Sequence, residues 1–170
     1  MAEARNASEN QSREWHDGNT PRLQLGPLGE RLGYVLRRAQ VAVFQAFDAT
    51  FDEVGIRPVQ YSILTIIESN HGPNQTQVAE TLGIKKTNFV AMLDALEQRG
   101  LVRRTATPGD RRTYSLFLTE EGATFMHTLH KLAAEHEDRI VEQVGTDVHR
   151  RLFTELGAIA RLGRERKRES

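Results

Sequence analysis

Four consecutive side chains, Lys85, Lys86, Thr87 and Asn88, carry donors and acceptors suited to nucleic acid. They stand where a helical pattern begins. A helix N-terminus fits the major groove, and its first turn reaches base edges. Lysine can contact phosphate or guanine, asparagine can bond adenine, and threonine offers a hydroxyl and a methyl. A second basic group follows at Arg103 and Arg104, and a third at Arg111 and Arg112 beside Asp110. An arginine at a hairpin tip is drawn into a narrow minor groove by the negative potential there. Asp110 has the wrong sign for phosphate and is expected to pair with a nearby arginine.

These groups need a scaffold, and the sequence supplies a pattern for one. Asn74 or Thr76 can cap a short helix containing Val78, Ala79 and Leu82, and Gly83 makes a turn. Phe89, Met92, Leu93 and Leu96 then recur at helical spacing and predict the buried stripe of a helix from about Lys86. Thr87, Asn88, Val90, Ala91 and Asp94 are left facing outward. Gly100 ends that helix. Leu101–Thr105 and Tyr114–Leu118 read as strands, with residues 106–113 as the turn between them. Helix, turn, helix and β-hairpin make a winged helix-turn-helix, expected over residues 56–119.

The flanking segments read as mainly helical. Leu28, Leu32, Val35, Ala39, Val43 and Ala46 form one stripe of a long helix over about 28–53. Tyr34, Arg37, Arg38, Val41 and Phe44 form another, so this helix is expected to lie between a core and either a partner subunit or a ligand. Gly55 is placed to end it, and Pro58 opens a compact helix over 58–69. Thr119 caps a fifth helix over about 120–144, with Phe125, Leu129, Leu132, Ala133, His136, Ile140 and Val144 as its stripe. A sixth carries Val148, Leu152, Leu156 and Ile159 on one side. Residues 27–54 and 120–168 are expected to build a helical dimerisation region, and residues 1–26, which include the isolated Trp15, a polar flexible arm.

The 170 residues contain 23 basic and 23 acidic side chains, so net charge alone predicts no partner. The distribution does: residues 85–112 hold seven basic groups against three acidic ones, a localised phosphate-facing patch. Cysteine is absent, which excludes disulfides, thiolate metal sites and thiol-based redox sensing. No apolar run is long enough to span a bilayer, and the N-terminus lacks a signal-peptide core, so a cytoplasmic location is expected. No phosphate loop, zinc-protease motif or nucleophile motif points to an enzyme. No cofactor is expected. His127, His130 and Glu137 cluster too loosely for a metal site and the two histidines are read as facing solvent, while His136 reads as a satisfied core residue.

The stretch from Leu82 to Gly122 resembles the MarR family of bacterial transcriptional regulators. The resemblance rests on Gly100-Leu101-Val102, Asp110-Arg111-Arg112 and Leu118-Thr119-Glu120-Glu121-Gly122. It implies a homodimer on a near-palindromic DNA operator, released by a small-molecule effector or by oxidation, the latter disfavoured without cysteine. It also implies that Arg112, two residues after Asp110, enters the minor groove. Ala91 departs from the pattern, standing where members carry a basic residue, which shifts base reading toward Lys86, Thr87 and Asn88. In such proteins the effector lies between the dimerisation region and the winged domain, which points to Tyr34, Arg37, Arg38, Phe44 and Tyr61. Arginine holds a carboxylate or phosphate, and aromatic rings supply an apolar wall. The run Leu32–Gln40 is similar to members that control aromatic-acid catabolism and sense hydroxycinnamoyl-CoA thioesters. A drug- or phenolic-responsive repressor and a nucleoid-like DNA binder without effector are the alternatives.

Overall fold

The computed structural model describes residues 24–107 and 110–165, the side chains of 107, 110–113 and 162–165 excepted. The expected N-terminal arm and Trp15 thus lie almost wholly outside the described residues. The chain divides into two compact units, residues 1–42 and 43–170. In the first, a 3-10 turn, Gly26–Glu30, precedes the long helix α1, Leu32–Phe51, which continues into the second. The single helix expected from Leu28 is interrupted because Arg31 takes an extended conformation.

The second unit adds α2 (Pro58–Glu68), α3 (Gln75–Thr81), α4 (Lys86–Gln98), β1 (Val102–Thr107), β2 (Asp110–Leu118), α5 (Glu120–Val144) and α6 (Thr146–Glu165). Its element order is that of a winged helix-turn-helix. Local chemistry fixes the boundaries. Asn74 caps α3 by accepting from the Gln77 amide at 2.9 Å, and the Gln77 side chain returns a bond to the Asn74 amide at 2.8 Å. Gly100, in the left-handed region at φ 70°, turns the chain from α4 into the hairpin.

The hairpin is antiparallel, pairing Val102 with Leu118 through Ala106 with Tyr114 and then shifting register to pair Thr107 with Asp110. The strands therefore run closer to the tip than residues 106–113 suggested when read as a loop. Beyond Ala106 and Tyr114 the ladder continues through Thr107 and Asp110, past a register shift that the hydropathy of Arg111 and Arg112 obscures. A third segment joins the sheet where Asn74 bridges Ser115 and the Leu116 amide donates to the Pro73 carbonyl at 2.9 Å.

Phe51, Ile63, Leu64, Val78, Phe89, Leu93, Leu96, Val102, Leu116, Met126 and Leu129 form the core. Each large side chain fully buried there contributes about 1.5–3 kcal/mol relative to exposure. On α4 the buried residues are Phe89, Leu93 and Leu96, with Met92 only partly covered. Helix α6 differs. Val148, Leu152, Phe153 and Leu156 remain 39%, 39%, 66% and 41% exposed, an apolar face left uncovered within a single chain.

The joint between hairpin and α5 is tight. The Thr119 hydroxyl accepts from the Gly122 amide at 2.9 Å and donates to the Gly100 carbonyl at 2.5 Å. A Cβ on Gly122 would stand 2.1 Å from the backbone oxygen of Leu101. Gly122→Ala is therefore expected to destabilise the fold by about 2–3 kcal/mol, because backbone must move to admit one methyl. A urea midpoint unchanged from wild type would contradict this packing.

Candidate nucleic-acid interface

Helix α4 separates two kinds of residue. Burial of Phe89, Leu93 and Leu96 fixes its inner face, so Lys86, Thr87, Asn88, Val90 and Ala91 stand exposed on the outer one. Lys85 occupies the N-cap position with extended backbone and makes no side-chain cap. Its ammonium and that of Lys86 thus sit at the positive end of the helix dipole, with unsatisfied amides beside them. The first turn presents cations, a hydroxyl, a carboxamide and free amides to one side, which suits an anionic duplex.

The arginines divide by what holds them. Arg104 reaches back from β1 to α4, where Nη1 donates to Glu97 Oε2 at 2.9 Å and Nη2 to Asp94 Oδ1 at 2.5 Å. Its amide also donates to Glu97 Oε1 at 3.3 Å. The side chain is 21% exposed, so this cation is largely taken up within the protein. Arg99 donates to the Gly55 and Val54 carbonyls at 2.6 and 3.0 Å and ties the end of α4 to the loop before α2. Arg103 is exposed, bonds Thr105 Oγ1 at 2.7 Å and lies 4.8 Å over the Phe117 ring. Asp110, Arg111 and Arg112 belong to β2, next to the tip, and their side chains, including the expected pairing of Asp110, lie outside the described residues. The basic excess read from the sequence therefore includes two cations, Arg99 and Arg104, that the fold engages internally.

The five residues expected at an effector site fall in both units. In the first, Tyr34 and Arg38 are partly covered and Arg37 is exposed. Among the described residues no ion pair engages Arg37 or Arg38, and the Arg38 Nε is buried without a hydrogen-bond partner. In the second, Phe44 is 45% exposed. Tyr61 is half-buried, its ring 5.9 Å from Phe47 and 5.6 Å from Phe51, which stack on each other at 3.7 Å. Its hydroxyl lies 3.4 Å from His130 Nδ1, and His130 Nε2 is 2.7 Å from Glu68. His130 is thus bonded to α2, where spacing alone suggested a solvent-facing side chain. A polar cleft of about 550 Å³ opens between the end of α2 and α3, lined by Asn70, His71, Gln77 and Thr81 among others, and none of the five lines it. No group of three or more described His, Asp or Glu residues could hold a metal.

His136 is buried as expected, 6% exposed and edge-on to Phe47 at 5.4 Å, but it is not satisfied: Nδ1 has no partner. Burial lowers its pKa from the usual 6.5, with Glu137 opposing that shift and Arg139 adding to it. The folded state then binds fewer protons than the unfolded chain, so stability falls as pH drops through about 6.5. His136→Leu is expected to flatten the fall in urea midpoint between about pH 7 and pH 5.5; an unchanged slope would assign that fall elsewhere. Arg104→Met leaves two carboxylates unneutralised on α4 and is expected to cost about 1–2 kcal/mol, given the partial exposure of the cluster. Adding Glu97→Gln should recover part of that loss, and a purely additive double variant would argue against the ion pair.

Known proteins place this geometry in a family. Residues 56–114 match the MarR family. A transcriptional regulatory protein assigned to the hcr operon of Thauera aromatica is 31% identical over 144 residues, 84% of this chain and 85% of that one. A structure of the transcriptional repressor CouR bound to a 23-mer DNA duplex is 47% identical, with a TM-score of 0.77, covering 82% of this chain and 99% of that chain. CouR bound to p-coumaroyl-CoA is 45% identical at the same coverage and TM-score. No described helix is long and apolar enough to cross a membrane. With the helix-turn-helix, its wing and these relatives in hand, the chain belongs to the MarR family and is one of its transcriptional repressors.

Proposed function

We propose that the protein is a cytoplasmic homodimer that represses transcription from a near-palindromic operator and leaves it on binding an aromatic acyl-CoA thioester. The observation that carries this reading is the 45–47% identity, over 99% of its length, to a repressor found with both a DNA duplex and p-coumaroyl-CoA. In this reading α4 lies in the major groove, with Lys85, Lys86, Thr87, Asn88 and Ala91 against the DNA. Arg103 and the tip residues Asp110, Arg111 and Arg112 serve the flanking backbone and minor groove. Arg104 acts differently from the other arginines. Its bonds to Asp94 and Glu97 make it a positioning residue that joins the wing to α4.

The uncovered apolar side chains of α6 support pairing of two chains. A dimer also matches the physics of operator reading, since two helices then meet successive grooves about one helical turn apart. Arg37 and Arg38, free of ion pairs among the described residues, suit the phosphates of a CoA moiety. Tyr34, Phe44 and Tyr61 suit an aromatic acyl group. No enzymatic activity is proposed.

The test is fluorescence anisotropy of the full chain on duplexes enriched from a randomised pool. One sequence should bind far better than scrambled DNA at matched salt, and p-coumaroyl-CoA should release it where p-coumarate and free CoA do not. Equal affinity for all sequences would leave a nucleoid-like binder instead. Arg112→Ala is expected to weaken binding to that sequence by about 1–3 kcal/mol. An unaltered isotherm would remove Arg112 from the interface. Arg38→Ala should raise the p-coumaroyl-CoA concentration needed for release while DNA affinity stays as in wild type. Loss of both properties, or of neither, would contradict its place in the effector site.

A further inference from the structure

The reading face of α4 changes chemistry after its first turn. Lys86, Thr87 and Asn88 can bond base edges or phosphate, but Val90 and Ala91, the exposed residues of the second turn, have neither donor nor acceptor on their side chains. Val90 is 36% exposed, a branched apolar side chain on a face offered to a polyanion. One turn further on, Asp94 is tied to Arg104 at 2.5 Å, so no free cation follows Val90 on that side. Thr87, Val90 and Ala91 lie three and four residues apart and share one stripe, each presenting a methyl group.

We infer that Val90, flanked by the methyls of Thr87 and Ala91, is a specificity-determining residue that selects thymine through its C5 methyl. This rests on α4 being the major-groove element of the proposed repressor. A side chain without hydrogen-bonding atoms can still discriminate in the major groove, because thymine alone among the four bases carries a methyl there. Apolar contact desolvates that methyl and the valine together, which favours thymine over cytosine at the same place. Hydrogen bonds from the first turn and methyl contact from the second then read neighbouring base pairs by different physics. The absence of a basic residue at Ala91 fits this division, because a long cation there would cover the stripe.

The test isolates one methyl group. The full-length protein is used to enrich a sequence from a randomised duplex pool, and each thymine of that sequence is replaced in turn by deoxyuridine. The base pair and its hydrogen bonds are kept and only the C5 methyl is lost. At one or more positions the substitution should weaken wild-type binding about fourfold, the effect of one buried methyl. Val90→Ala should bind the thymine and uracil duplexes there equally, while penalties elsewhere persist. If Val90→Ala lost all binding, Val90→Thr, which keeps the shape and one methyl, would carry the comparison and should show a reduced penalty. Enrichment of a sequence that tolerates uracil everywhere, or uracil penalties unchanged in the Val90 variants, would overturn the inference and leave the repressor reading intact. Failure to enrich any sequence would instead overturn the repressor reading, and this inference with it.

Discussion

The burial of one side of α4 is the constraint from which the rest of the molecule follows. Phe89, Leu93 and Leu96 are removed from water against α2, α3 and the hairpin, and that anchorage fixes the rotation of the helix about its own axis. A helix held this way has no freedom to choose its outer face. Thr87, Asn88, Val90 and Ala91 are exposed because their neighbours are not. The reading surface is thus a by-product of core packing, and its accuracy is that of a close-packed interior rather than of a flexible loop.

Around this anchored helix the charges are arranged to fix two elements to each other. Arg104 carries the hairpin to α4 through two carboxylates one turn apart. Arg99, the C-cap of α4, ties the same end of the helix to the carbonyls of Val54 and Gly55. In both cases the planar guanidinium meets two acceptors at once, which a lysine ammonium could not match in geometry. The hairpin is held at its base as well, by the Pro73–Leu116 bond and by the Thr119 hydroxyl between Gly100 and Gly122. The base of the hairpin and the reading helix therefore belong to one packed body.

The aromatic group on the other side of the core has a different character. Phe47, Phe51, Tyr61 and His136 lie stacked, tilted or edge to face within 6 Å of one another's rings in the pairs they form. Within it sits an imidazole nitrogen with no partner. A buried polar atom left unbonded costs stability. The His130–Glu68 contact at its edge ties α5 to α2, the helix that carries Tyr61.

Much of the architecture was legible along the chain because its causes are local. The Asn74 and Thr119 caps, the left-handed Gly55 and Gly100, the helical spacing of Phe89, Leu93 and Leu96, and the order of helices and strands all depend on residues a few positions apart. The family resemblance in the wing and its exit rests on the same short-range motifs. The fate of the charges was not legible. Arg99 finds its acceptors 44 and 45 residues away, His130 meets Glu68 62 residues away and Tyr61 69 residues away. Even Arg104, whose partners are 7 and 10 residues back, needs the chain to reverse at Gly100 before they meet. Sequence by itself determined which elements form and which of their faces are apolar, since periodicity and capping act within a turn or two. Only the tertiary structure decided which cations remain free for a partner, because an ion pair is made between surfaces that come together after the chain has folded.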